Sequence, residues 1–119
     1  MAWSVLVVDD DASFRQLAAR TLRSWGYAVV GEAATVAEAV ERATALRPDA
    51  ALVDVGLPDG DGFELAQWFA TLSWPPRVVL ISSDSDAANE ALARRVGAAG
   101  FVPKDELVGP SLRRLLDGG

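Results

Sequence analysis

Two short apolar runs constrain this chain more than any other feature. Val5-Leu6-Val7-Val8 and Ala50-Ala51-Leu52-Val53 are continuous rather than alternating. A strand with one wet face alternates apolar and polar residues, so a strand apolar throughout must be covered on both faces. Helical crossovers supply that cover, which predicts parallel strands alternating with helices. Each run then empties into acid: Asp9-Asp10 after the first, Asp54 after the second. Brought to one sheet edge, three carboxylates repel strongly and persist together only around a cation or a shared proton.

The rest of the chain keeps the alternation. Tyr27 to Val30, Arg77 to Ile81 and Phe101-Val102 read as further strands. Asp11 is placed to cap a first helix whose face carries Phe14, Leu17, Ala18, Leu22 and Trp25, with Gly26 at its end. Thr35 and Glu38 form a capping box for a second, facing inward through Val36, Ala39, Val40, Ala43 and Leu46 and stopped by Pro48. Leu65, Trp68, Phe69 and Leu72 mark a third helix, broken by Trp74-Pro75-Pro76. A fourth, about residues 86–96, is alanine-rich with a poorly defined apolar face. Pro110 opens the last, with Leu112, Leu115 and Leu116 inward. The pattern predicts one domain over residues 1–119, a doubly wound five-stranded parallel sheet with helices on both faces. In such sheets ligands bind beyond the carboxyl ends of the strands. The residues there are Asp9, Asp10, Asp54, Ser82 and Lys104.

Composition removes several chemistries. The chain of 119 residues has no cysteine and no histidine, which rules out thiol chemistry, Ser-His-Asp hydrolysis and ordinary zinc sites. A net charge of −6 with 11 basic residues argues against nucleic-acid binding by this segment. No apolar run approaches the roughly 20 residues of a membrane span, and the N-terminus lacks a signal-peptide pattern, so a cytoplasmic location is expected.

Oxygen ligands at a rigid edge suit magnesium rather than a softer metal. Lys104 adds a cation that can pair with a carboxylate or a phosphoryl oxygen. Ser82 adds a hydroxyl. A nucleophilic carboxylate, a metal, a cation and a hydroxyl together make a set suited to phosphoryl transfer. Singly, each has a plainer reading: Ser82 as a polar strand end, Lys104 as a surface charge, Phe101 as core. Asp11, Asp59, Asp61 and Asp105 read as caps or turn formers.

The motifs Val7-Val8-Asp9-Asp10, Val53-Asp54 with Leu57-Pro58 and Asp61-Gly62, Ile81-Ser82, Gly97-Ala98 and Phe101-Val102-Pro103-Lys104 stand in one order along nearly the whole chain. This chain resembles the response-regulator receiver (CheY-like) domain of two-component signalling. Its Pro-Lys-Asp-Glu ending is most similar to the NarL/LuxR class. The resemblance implies a flavodoxin-like fold with strand order 2-1-3-4-5. It implies that Asp54 accepts a phosphoryl group from a sensor histidine kinase in a Mg2+-dependent reaction. Asp9, Asp10, Asp54 and the Gly56 backbone carbonyl would hold the metal, Lys104 would pair with the phosphoryl group, and Ser82 with Phe101 would relay the change. Gly56 and Asp84 would flank the approach of water to the acyl phosphate. Such a domain is a switch, not a turnover enzyme. Its partners would be the kinase, a downstream effector or output domain, and a second copy on phosphorylation. The sequence departs from the family pattern where Asp105 rather than proline follows Lys104, and where Phe101 replaces a tyrosine. Two other classes fit part of the pattern: an aspartyl phosphatase, which wants an acid where Gly56 stands, and a pseudo-receiver, which would have lost an acid or the lysine.

Overall fold

The computed structural model describes residues 3–83 and 87–118. Five parallel strands form one sheet: β1 (Ser4–Val8), β2 (Ala28–Ala33), β3 (Ala50–Asp54), β4 (Arg77–Ser82) and β5 (Gly100–Pro103), in spatial order β2-β1-β3-β4-β5. The helices are α1 (Ala12–Ser24), α2 (Val36–Leu46), α3 (Gly62–Ala70), α4 (Ala87–Arg95) and α5 (Pro110–Asp117). A two-residue ribbon, Gly56–Leu57 against Gly60–Asp61, folds the loop after β3 back on itself. Asp84 lies outside the described residues.

The continuous apolar strands have the explanation the sequence suggested. Side chains alternate across a pleated strand, so each run feeds two cores. Val5, Val7, Ala50, Leu52, Val79 and Ile81 pack with Phe14, Ala18 and Leu22 of α1 and Leu112 and Leu116 of α5. Leu6, Val8, Ala51, Val53, Val78 and Leu80 pack with Ala39 and Ala43 of α2, Leu65, Ala66 and Phe69 of α3, and Ala93 of α4.

Three sequence expectations shift. Leu17 and Leu46, assigned to inward faces, are 41% and 44% exposed. The alanines beside them explain this: Ala18, Ala19, Ala39 and Ala43 let α1 and α2 sit close to the sheet, which narrows the stripe that is buried. Strand β2 extends to Ala33, beyond Val30. Val5 pairs with Val29 and Leu6 with Gly31, so Val30 is skipped in a bulge and stays exposed. A bulge on an edge strand discourages pairing with another chain.

Candidate functional site

The register aligns the carboxyl ends of the strands. Val8 of β1 lies beside Val53 of β3, which sets Asp9 and Asp54 one step further along neighbouring strands. Asp54 pairs with Ile81 of β4, and Ser82 with Pro103 of β5, so Ser82 and Lys104 arrive at the same edge. Backbone bonds fix the strand ends: Asp9 N–H donates to the Ala33 carbonyl and Val55 N–H to the Ile81 carbonyl, both at 2.9 Å.

Carboxylate oxygens of Asp9, Asp10 and Asp54 lie within 4.8 Å of one another. Asp9 is fully buried, Asp54 is buried and Asp10 is exposed. Asp9 Oδ1 accepts from Asp11 N–H at 2.8 Å. Its Oδ2 lies 2.6 Å from Lys104 Nζ but accepts no hydrogen bond of directional geometry. Lys104 Nζ is also 3.3 Å from Asp54 Oδ2, while Asp54 Oδ1 accepts from Gly56 N–H at 3.2 Å. The donor set fits a hard divalent cation: three clustered carboxylates, whose charge the single Lys104 ammonium offsets only in part, beside the open backbone at Gly56.

Burial pushes the Asp54 carboxyl above its usual range. The Gly56 N–H opposes this, the charge on Asp9 adds to it, and Lys104 opposes it again. Burial would lower the Lys104 pKa, but its pairing with Asp9 and Asp54 outweighs that and raises it. The two directions agree with the distances, because the ammonium sits closer to Asp9 than to Asp54.

Ser82 is buried at the end of β4 and Ser83 is exposed. Phe101 is half-buried, opposite Leu80 in the register and packed against the α2–α3–α4 core. Asp11 caps α1, accepting from Ser13 and Phe14 N–H, and Asp61 caps α3, accepting from Phe63 N–H. Asp105 lies in the one-turn helix Lys104–Glu106.

Four residues take roles at or beside the site that the sequence did not specify, although Asp59 was expected to cap or turn and does cap a helix. Phe14 lies under Lys104, its ring centroid 4.6 Å from Nζ. Arg15 donates from Nη1 to the Asp9 carbonyl and from Nε to Glu32 at 3.1 Å, bracing the first acidic turn. Asp59 reaches across to α2, accepting from Val36 N–H at 2.7 Å and Ala37 N–H at 3.1 Å. Gly62 faces the Asp54 carbonyl so closely that a Cβ there would stand 2.2 Å from the oxygen. The sequence carried partial signals for three of them: the inward helix face for Phe14, the cap-or-turn reading for Asp59 and the Asp61-Gly62 motif for Gly62.

The family model for the response regulator receiver domain matches residues 5–111. This chain belongs to the response-regulator receiver family. The receiver is 39% identical over 114 residues to the transcriptional regulatory protein NarL of Mycobacterium tuberculosis, covering 95% of this chain and 53% of that protein. It is 46% identical over 79 residues to the DNA-binding transcriptional activator DevR/DosR of the same organism, covering 65% of this chain and 36% of that one. The receiver thus spans about half or less of those curated relatives. Among solved structures, the signal receiver domain of the M. tuberculosis NarL superposes with a TM-score of 0.85 at 38% identity, covering 96% of both chains. The response regulator domain of Thermotoga maritima CheB gives 0.80 at 31%, covering 99% of this chain and 90% of that one. Among the described residues, no helix is long and apolar enough to cross a membrane.

Proposed function

We propose that this receiver, as a single domain over residues 1–119, accepts a phosphoryl group on Asp54 from the phosphohistidine of a sensor histidine kinase. The observation that carries the reading is the arrangement of Lys104 Nζ within ion-pair reach of two strand-end aspartates, Asp9 and Asp54. An Asp54 carboxylate oxygen attacks phosphorus, an O–P bond forms, and the N–P bond breaks. The electron pair stays on the departing imidazole nitrogen, which takes up a proton. The kinase would supply the donor imidazole, which fits a sequence of 119 residues with no histidine.

Asp9, Asp10, Asp54 and the Gly56 carbonyl would hold Mg2+. The chemistry supplied by that ion is neutralisation of charge on the transferring phosphoryl oxygens. Lys104 adds a second positive charge on the side of β5 and leaves Asp9 for the phosphoryl group as it arrives. Ser82 donates its hydroxyl to the phosphoryl group, and Phe101 turns into the space it leaves. The half-buried setting of Phe101 supports that motion. The switched surface would serve an effector or output domain, or a second copy of the phosphorylated chain, in the cytoplasm. The transcriptional roles named for the relatives make gene control the favoured output.

Intact mass after incubation with Mg2+ and acetyl phosphate tests the reading. One phosphoryl group should be gained by the parent and none by Asp54→Asn. Equal uptake by both would remove Asp54 from the role. Sustained turnover of a generic phosphate ester would favour a phosphatase, and no uptake by the parent a pseudo-receiver.

A further inference from the structure

Among the described residues, Lys104 has an aromatic neighbour as well as its two carboxylates. Besides Asp9 and Asp54, its ammonium lies over the face of Phe14, 4.6 Å from the ring centroid. Phe14 belongs to the first turn of α1 and is almost fully buried, packed with Ala18, Leu22 and the β1 valines. The ring therefore cannot swing aside without opening that core. Lys104 sits at the end of β5, its side chain mostly buried. A flexible four-carbon stem would otherwise let the ammonium turn outward to water.

We propose that Phe14 is a positioning residue whose ring face forms the third wall of the Lys104 seat, keeping the ammonium aimed at Asp54. This inference rests on the phosphoacceptor reading of Asp54. The negative face of an aromatic ring attracts an ammonium without demanding a fixed bond direction. A carboxylate or carbonyl in that place would hold Lys104 by a directional bond and add charge to an already acidic site. A ring lets Nζ slide from Asp9 toward an oxygen on Asp54 while staying covered. An aliphatic side chain would fill the volume and supply no attraction.

The test separates ring electronics from packing. Phenylalanine analogues with one, two or three ring fluorines, placed at position 14 by codon suppression, weaken the ring's negative face in steps at nearly constant shape. Phosphorylation by acetyl phosphate in excess Mg2+ should slow stepwise to about three- to tenfold below the parent, with thermal midpoint unchanged. Phe14→Tyr should keep the parent rate and Phe14→Leu should lose as much as the most fluorinated analogue. A second readout needs neither metal nor donor. The Lys104 ε-methylene protons should resonate upfield in the parent from the ring current, and return to ordinary positions in Phe14→Leu. Equal rates across the fluorine series, or unshifted Lys104 protons in the parent, would overturn the proposal. Absence of phosphorylation in the parent with shifted Lys104 protons would instead overturn the Asp54 reading and leave the seat intact.

Discussion

Gly62 carries a constraint that Gly56 does not, though both flank the same loop. A Cβ on Gly62 would stand 2.2 Å from the Asp54 carbonyl oxygen and 2.7 Å from the Val55 Cα. Both are backbone atoms, so no side chain can yield. Helix α3 starts at Gly62 directly beneath the strand that carries Asp54, and its N–H bonds the Val55 carbonyl at 2.9 Å. Gly62→Ala should therefore cost about 3 kcal/mol, the upper range for overpacking. A Cβ at Gly56 meets nothing within 4 Å, and Gly56→Ala should change stability by no more than about 0.5 kcal/mol. Urea unfolding of the two variants checks the contrast, and equal losses would remove the steric argument. The strand-end acids were readable because an apolar run followed by aspartate needs no third dimension. Gly62 and Phe14 were not, because their roles come from what the fold sets against them across tens of residues.

Helix α2 shows the same division at the scale of elements. Its capping box was legible: Thr35 Oγ1 accepts from Glu38 N–H at 3.1 Å, and Glu38 reaches back to Ala34 N–H at 2.8 Å. That leaves the N–H groups of Val36 and Ala37, which a helix start cannot satisfy internally. Asp59 takes both from the loop after β3, and a Cβ on the neighbouring Gly60 would stand 3.1 Å from Val36 Cγ2. The sequence reads Asp59 as a cap or turn former but not which helix it caps, since the bonds run to residues 22 and 23 positions upstream. The two backbone bonds hold the Asp59 carboxyl below its usual range. A depressed carboxylate stabilises the fold above its unfolded pKa, and the contribution is lost as pH falls through the folded value. Asp59→Ala should speed amide exchange at Val36 and Ala37 at neutral pH and leave Glu38 protected. Thr35→Ala should do the reverse. If Asp59→Ala leaves Val36 and Ala37 as protected as in the parent, the loop does not cap the helix. Expectation also failed at Leu17 and Leu46, for an element-level reason: a helical period gives the direction of a face but not its width, and small alanines decide how close the helix lies.

Across the whole molecule, charge and anchoring are split between the two ends of the sheet. The acids and Lys104 occupy the carboxyl end, while the opposite end is tied by α5. The Tyr27 hydroxyl donates to Asp117 Oδ1, joining the approach to β2 to the end of α5, and the Arg113 guanidinium lies 5.8 Å from the Trp25 ring centroid. Leu112 and Leu116 bury the inner face of the same helix. Helix α5 is thereby fixed at its far end, on the element that follows Lys104 and its turn. Burial, reinforced by the hydrogen bond and charge of Asp117 and opposed by Arg113, pushes the Tyr27 phenol up to about 12. The native state then keeps a proton that the unfolded chain gives up near its ordinary value of 10.0. Below that value the contribution to stability is complete, and it is lost as pH rises from there to about 12. Tyr27 is the sole tyrosine, so tyrosinate absorbance reads it alone. At about pH 11, between the ordinary phenol value and the raised one, the parent should show less tyrosinate than Asp117→Asn, which keeps an acceptor but removes the charge. Tyr27→Phe should flatten that part of the alkaline stability slope. Matching tyrosinate in parent and Asp117→Asn would mean that Asp117 does not hold the phenol and that α5 is secured by its leucines alone.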